Sequence, residues 1–344
     1  MNILSAEKIT KHYGERVLFS ELSLGISDNE KIGLIGVNGA GKSTLLKIIA
    51  GVDLPDGGQI SQANNARIGY LAQNPSLRLE NTILEEALSG NSPTLKLIRD
   101  YETALIEAEQ APGDSKLQKI LLQLGQRMDE AQAWQMESEA KTILTRLGIT
   151  DFTVKVGALS GGQRKRIALA MALINPVELL ILDEPTNQLD NQIGDWLEEY
   201  LKQRKGALLM VTHDRYFLDR VTNRIWELHD GKLYSYLGNY SVYLEKKAER
   251  EEQEEASALK RQNLFRRELA WIRRGAKARS TKQQARIERF EKLEAEVSKN
   301  EVNRSIEIGA GSSRLGKKVI NLNKLGKSMA GRLLIANFDY TFLR

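Results

Sequence analysis

The octapeptide Gly36-Val37-Asn38-Gly39-Ala40-Gly41-Lys42-Ser43 carries the clearest chemistry in the chain. Glycines let the backbone turn tightly enough for successive N–H groups to point at one anion. A helix starting at the loop adds its positive dipole end to the same place. Lys42 is then expected to reach the outer phosphates and the Ser43 hydroxyl a Mg²⁺ ion. The apolar run 31–35 before the loop reads as a buried strand, and 44–50 after it as a helix closed by Gly51. A G-x-x-x-x-G-K-S set between strand and helix is the signature of nucleoside triphosphate binding.

Other residues supply the groups such a site needs. Leu179-Leu180-Ile181-Leu182 reads as a buried strand that ends in two acids, Asp183 and Glu184. A hard cation beside phosphates takes carboxylate oxygen, which Asp183 offers, and Glu184 can orient or deprotonate a water at the γ-phosphate. Gln73 follows the short strand 68–71, where a neutral amide can touch both metal and attacking water. The strand 206–212 is closed by His213, read as the only one of the three histidines at a strand end and able to hydrogen-bond the γ-phosphate. Ser160-Gly161-Gly162-Gln163 precedes an apolar helix, with Ser160 at the N-cap and two glycines that allow backbone N–H groups near an anion. Tyr13 lies within reach of a base stacked beside the phosphate loop.

The elements that must position these groups are equally readable. Alternation over residues 3–26, with Gly14 at a turn, predicts antiparallel strands. Residues 81–158 turn helical: Ile83, Leu84, Ala87 and Leu88 share one face, Ile120, Leu121, Leu124 and Met128 another, and Pro112-Gly113-Asp114 interrupts them. Residues 225–228 and 233–236, joined through Asp230-Gly231, read as a hairpin. The chain has 344 residues, enough for two or three units, and no cysteine, so neither a disulfide framework nor a thiolate metal site is available. No apolar run approaches the ~20 residues of a membrane span and no signal-peptide pattern is present. A soluble, cytoplasmic protein is expected.

In this order, the motifs resemble the ATP-binding cassette family across residues 1–240. The resemblance implies an α/β fold, a P-loop NTPase core with an antiparallel β subdomain and an inserted helical subdomain at about 81–158. It also implies ATP and Mg²⁺ as cofactors and ATP hydrolysis as the reaction. By position, Tyr13 would stack adenine, Gly36, Asn38, Gly39, Ala40, Gly41, Lys42, Ser43 and Thr44 would hold the phosphates, and Gln73 would sense the γ-phosphate. Ser43, Gln73 and Asp183 would serve Mg²⁺, Glu184 would be the catalytic base and His213 the switch histidine. Ser160–Gln163 would form the signature, which in that family completes the ATP site of a second cassette. Glu184-Pro185-Thr186-Asn187-Gln188-Leu189-Asp190 further resembles the soluble ABC-F branch, whose members usually have histidine where Gln188 stands. Glutamine cannot become cationic near neutral pH.

Charge is distributed unevenly. Residues 260–289 hold eleven lysines and arginines against Glu268 and Glu288, a net +9 that exceeds the +5 of the whole chain. Such asymmetry points to a polyanion partner. Gly275 and the run from Ser280 to Gln283 interrupt the helical pattern, so residues 241–300 read as two antiparallel helices with a basic tip. The stretch 268–282 resembles the interdomain linker of Uup-type ABC-F proteins. In relatives of that branch the linker enters the ribosome and touches tRNA, which implies phosphate contacts by Arg266, Arg267, Arg273, Arg274, Lys277, Arg279, Lys282 and Arg286.

Residues 324–338 echo residues 8–22 at an offset of 316, with Met329 at the position of Tyr13. The segment 301–344 therefore reads as a connector and the opening strands of a second cassette. A truncated chain, or one that pairs with another copy, is expected. The reading is a ribosome-associated ATPase contacting tRNA or rRNA. Its rivals are a DNA-binding ATPase of repair or transposon excision, and a transporter's ATPase subunit.

Overall fold

The computed structural model describes residues 1–273 and 318–343, apart from Glu15, Asn91, Gln188, Ala330 and Gly331. Two compact units divide it, Met1–Arg250 and Glu251–Arg344. The first is organised on a six-stranded sheet. Its strands, in spatial order, are β5 (Ile68–Leu71), β6 (Leu179–Asp183), β7 (Ala207–Val211), β3 (Lys31–Ile35), β8 (Arg224–His229) and β9 (Lys232–Leu237). The first five are parallel, and β9 returns antiparallel to β8 through Asp230 and Gly231, both left-handed as the tight hairpin requires. A smaller antiparallel sheet holds β1 (Asn2–Tyr13) between β2 (Arg16–Ser27) and β4 (Gly57–Gln62).

Both faces of the parallel sheet are covered, which explains why β6 is an unbroken apolar run. Leu179 and Ile181 face a core with Ile9, Phe19 and Leu22 of the smaller sheet and with helix α1 (Lys42–Ile49). Leu180 and Leu182 face the helices of the opposite side. Those are α2 (Ile83–Ala87), α3 (Pro93–Gln110), α4 (Ser115–Glu130), α5 (Ala133–Arg146), α6 (Gly161–Ile174), α7 (Asn191–Gln203) and α8 (Arg215–Val221). From Ile167 on, helix α6 is apolar all round, and that stretch is buried accordingly among α2, α5 and β5.

One sequence expectation holds within a limit and one needs correction. Of the face assigned to α4, only Met128 is fully buried, while Ile120 is 46% exposed. The α4 pattern is amphipathic, but little of the core reaches its first turns. His213 is also not the only histidine at a strand end, because His229 ends β8. The apolar pattern that marks β8 stops at Leu228, so nothing in it signals that pairing continues one residue further.

Helix α9 (Tyr240–Arg273) leaves the sheet through a built-in anchor. The Glu227 carboxylate on β8 is buried. It accepts hydrogen bonds from the Tyr236 and Tyr243 hydroxyls at 3.3 and 3.2 Å, and it pairs with Lys247 at 2.7 Å and Arg250 at 3.0 Å. Arg250 also stacks 3.9 Å over the Tyr234 ring. Burial pushes the Glu227 carboxyl up, but the hydrogen bond and charge of Lys247, with Arg250 and Tyr243, outweigh it and hold the group below the usual range.

In the second unit, β10 (Lys318–Met329) and β11 (Arg332–Leu343) form a hairpin. Each strand begins and ends 316 residues after β1 and β2. The register repeats as well: Ile9 pairs with Leu22 and Leu325 with Phe338, Tyr13 with Arg16 and Met329 with Arg332. Left-handed Lys8 and Glu21 recur as Lys324 and Asn337. The echo seen in the sequence is a repeat of backbone geometry, bulges included.

Candidate nucleotide site

The carboxyl ends of parallel strands lie side by side at one edge of the sheet, which is where ligands bind in open α/β sheets. From β3 the chain enters the loop 36–43. Gly39 and Gly41 there are left-handed, with φ of 78° and 101°, a conformation costly for any residue with a Cβ. Gly41 is the N-cap of α1, so Lys42, Ser43 and Thr44 form its first turn with N–H groups unpaired inside the helix. Lys42 Nζ donates to the carbonyls of Gly36 and Val37 at 2.8 and 3.1 Å. Its pKa is lowered by burial, against the charges of Glu184 and Asp183.

Gly36 is needed for space. A Cβ there would stand 2.5 Å from the Leu228 carbonyl oxygen on β8. Gly36→Ala is therefore expected to push the loop off its strand, costing about 1–3 kcal/mol as overpacking does. Nucleotide affinity should fall with it, measurable by calorimetric titration. Unchanged affinity would mean that the loop has more room than this geometry allows.

At the end of β6, Asp183 is buried and its carboxyl is raised by burial, opposed by a hydrogen bond from Ser43 and the charges of Lys47 and Lys42. Glu184 follows in a left-handed conformation, φ 57°, held by its N–H donating to the Val211 carbonyl at 2.8 Å. Strained backbone of this kind is concentrated at functional sites. Oε1 of Glu184 lies 3.4 Å from His213 Nε2, while its buried Oε2 has no hydrogen-bond partner among the described residues. Burial chiefly raises the Glu184 pKa, against the charge and backbone N–H of His213, the Asp183 charge adding to the rise and Lys42 opposing it. A carboxylate tuned upward and carrying one unused oxygen can accept a proton from water. If Glu184 is that base, turnover should rise with pH through an acid limb displaced above the ordinary glutamate value of 4.5. A pH–rate profile with its limb at or below that value would argue against it.

Gln73, Asp183 and Glu184 line one cleft, together with Lys165, Arg166 and Asn187. Tyr13 ends β1 with 81% of its surface exposed, open to a stacked ring. Ser160 caps α6 as expected: its hydroxyl accepts from the Gln163 N–H at 3.3 Å and Gln163 Oε1 accepts from the Ser160 N–H at 3.0 Å. Ser160 and Gly161 are exposed and Gly162 and Gln163 half-buried at the start of α6, whereas the phosphate loop packs on Leu18 and Phe19 of β2. Among the described residues no group of three or more His, Cys, Asp or Glu gathers to enclose a metal. One buried carboxylate, a hydroxyl and an amide instead suit Mg²⁺, which keeps several waters and shares its shell with phosphates. Residues 266, 267 and 273 lie on α9, whose side chains are not described there, and Arg274, Lys277, Arg279, Lys282, Arg286 and Gln188 fall outside the described residues.

Strand, phosphate loop, helix and paired acids at one sheet edge define a P-loop nucleotide-binding cassette. A family model described as ABC transporter matches residues 19–187, and a second with the same description matches 226–308. The chain is an ATP-binding protein of the ABC family. It is 51% identical over 339 residues to the uncharacterized ABC transporter ATP-binding protein YfmR of Bacillus subtilis, covering 98% of this chain and 54% of that protein. It is 39% identical over 345 residues to the energy-dependent translational throttle protein EttA of Mycobacterium tuberculosis, covering 99% and 61%. To EttA of Escherichia coli K12 it is 37% identical over 334 residues, covering 95% and 59%. The chain thus spans between half and two thirds of the length of these relatives. The fold is shared with an ABC transporter ATP-binding subunit (TM-score 0.50, 20% identity, 68% of this chain and 90% of that one). It is shared equally with a dimeric, post-hydrolysis ATP-binding cassette bound to ADP and Pi (TM-score 0.50, 24% identity, 68% and 98%). No described helix is long and apolar enough to cross a membrane.

Proposed function

We propose that the chain is the ATP-hydrolysing part of a cytoplasmic ABC-F protein of Uup type that acts on the ribosome. Residues 1–240 form the cassette, 241–300 the basic helical linker and 301–344 the start of a second cassette. Tyr13 stacks the base, the loop 36–44 holds the phosphates, and Glu184 takes the proton of the attacking water while His213 orients its carboxylate. Ser43, Asp183 and Gln73 would hold Mg²⁺, which would supply neutralisation of phosphate charge. The signature Ser160–Gln163 completes the nucleotide site of another cassette, so hydrolysis needs a second cassette in trans.

The single observation that carries the ribosome reading is the charge of residues 260–289, eleven cations against two acids, in the same chain as the cassette. Likeness to a translational throttle protein supports it. Phosphate contacts by these side chains position a protein on RNA without reading sequence, and each adds to the salt dependence of binding. The test is co-sedimentation of Glu184→Gln with ribosomes in ATP. Trapping of the complex supports the proposal, and no enrichment over the unmodified chain overturns it. Competition with branched DNA separates the repair reading, which the same basic run allows, and membrane fractionation separates the transporter reading.

A further inference from the structure

The turn between β1 and β2 presents a cation to which the site has given no task. Arg16 opens β2 directly across from Tyr13. Beyond it, Leu18 and Phe19 pack on the phosphate loop: a Cβ at Gly41 would lie 3.4 Å from the Leu18 Cβ and 3.5 Å from a Phe19 ring carbon. The same strand brings Arg16 to the loop as well, where its Nη1 lies 4.0 Å from the place a Cβ on Gly39 would take. Arg16 is exposed and makes no ion pair with any described residue. Lys42, the loop's other cation, is by contrast folded onto the Gly36 and Val37 carbonyls.

The internal repeat adds an independent observation. In the second hairpin Arg332 occupies the register position of Arg16, paired with Met329 where β1 has Tyr13. The repeat loses the aromatic ring and keeps the guanidinium, as two side chains serving different parts of one ligand would allow.

We infer that Arg16 is a ligand for the phosphate tail of the bound nucleotide, gripping it from the Gly39 side while Tyr13 takes the base. A guanidinium offers a planar fork of donors that matches phosphate oxygens, and among the described residues no acid pairs with it. The inference rests on the nucleotide reading of the site. Calorimetric titration of the unmodified chain, Arg16→Ala, Arg16→Lys and Tyr13→Ala with ATP and with adenosine tests it. Arg16→Ala is expected to raise the Kd for ATP about tenfold, the scale of one charge-assisted contact, and to leave adenosine within about twofold. Arg16→Lys recovers part of the loss, and Tyr13→Ala weakens both ligands. ATP binding by Arg16→Ala within twofold of the unmodified chain, or equal loss of ATP and adenosine, overturns the inference alone. An unmodified chain that binds no ATP overturns the nucleotide reading and this inference together.

Discussion

Glu184→Gln is expected to slow ATP turnover by about 10²–10⁴-fold, the usual contribution of a positioned general base, while ATP stays bound. The substitution keeps the length and one oxygen of the side chain but removes its capacity to take a proton. The left-handed backbone at Glu184 is held by its own N–H on Val211, so the amide variant should keep the turn. Burial without full pairing makes the carboxylate a better base than an exposed glutamate, and Oε2, which has no partner among the described residues, is where a water would be received. Single-turnover measurements on pre-bound ATP read the chemical step directly. If Glu184→Gln hydrolyses within about tenfold of the unmodified chain, the base lies elsewhere. His213, 3.4 Å from Glu184, is then the next residue to replace.

A second large effect is expected at a side chain that takes no part in the nucleotide site. Glu227→Leu removes a buried acid that Lys247, Arg250 and two tyrosine hydroxyls share. Breaking a buried pair from one side costs about 3–5 kcal/mol, read as a shift of the denaturant midpoint. Because its folded pKa lies below the ordinary value, ionised Glu227 contributes stability that is complete above about pH 4.5 and is lost as pH falls through the depressed folded value. Glu227→Gln should therefore flatten part of the acid limb of the stability curve as well as lower its plateau. A variant whose plateau falls but whose acid limb is unchanged would show that packing, not the ion pairs, carries the anchor. Glu227 pairs in the sheet with Ile35, the last residue before the phosphate loop. The loop and the root of α9 thus share one strand pair.

Much of this architecture is legible in the amino-acid order. The phosphate loop, the paired acids and the Ser160 cap announce themselves because each needs residue types that few other settings demand. These are glycine at positive φ, an acid after four buried residues, and a hydroxyl three positions before an amide. The β6 strand is equally plain, since burial on both faces leaves an unbroken apolar run. The Glu227 anchor is not, because its partners Tyr236, Tyr243, Lys247 and Arg250 are ordinary in a hairpin and a charged helix until the fold brings them together. Arg16 is inconspicuous for the same reason, since its nearness to Gly39 is made by β2 crossing the loop. Ile120 shows a different limit: an amphipathic period marks a helix as having an apolar face but not how far the core reaches along it.

The two matching hairpins differ in one respect that bears on how the chain folds. Ile9, Phe19 and Leu22 are buried, while Leu325, Ile335 and Phe338 at the same positions are 41%, 40% and 45% exposed. The identical pairing of the two hairpins, kept among the described residues at different burial, fits a strand alignment written in the hairpin's own short-range contacts. Hairpins of this kind close in about 1–10 μs, well ahead of long-range assembly. The first hairpin should thus reach the parallel strands already aligned, leaving docking, not alignment, as the slow event.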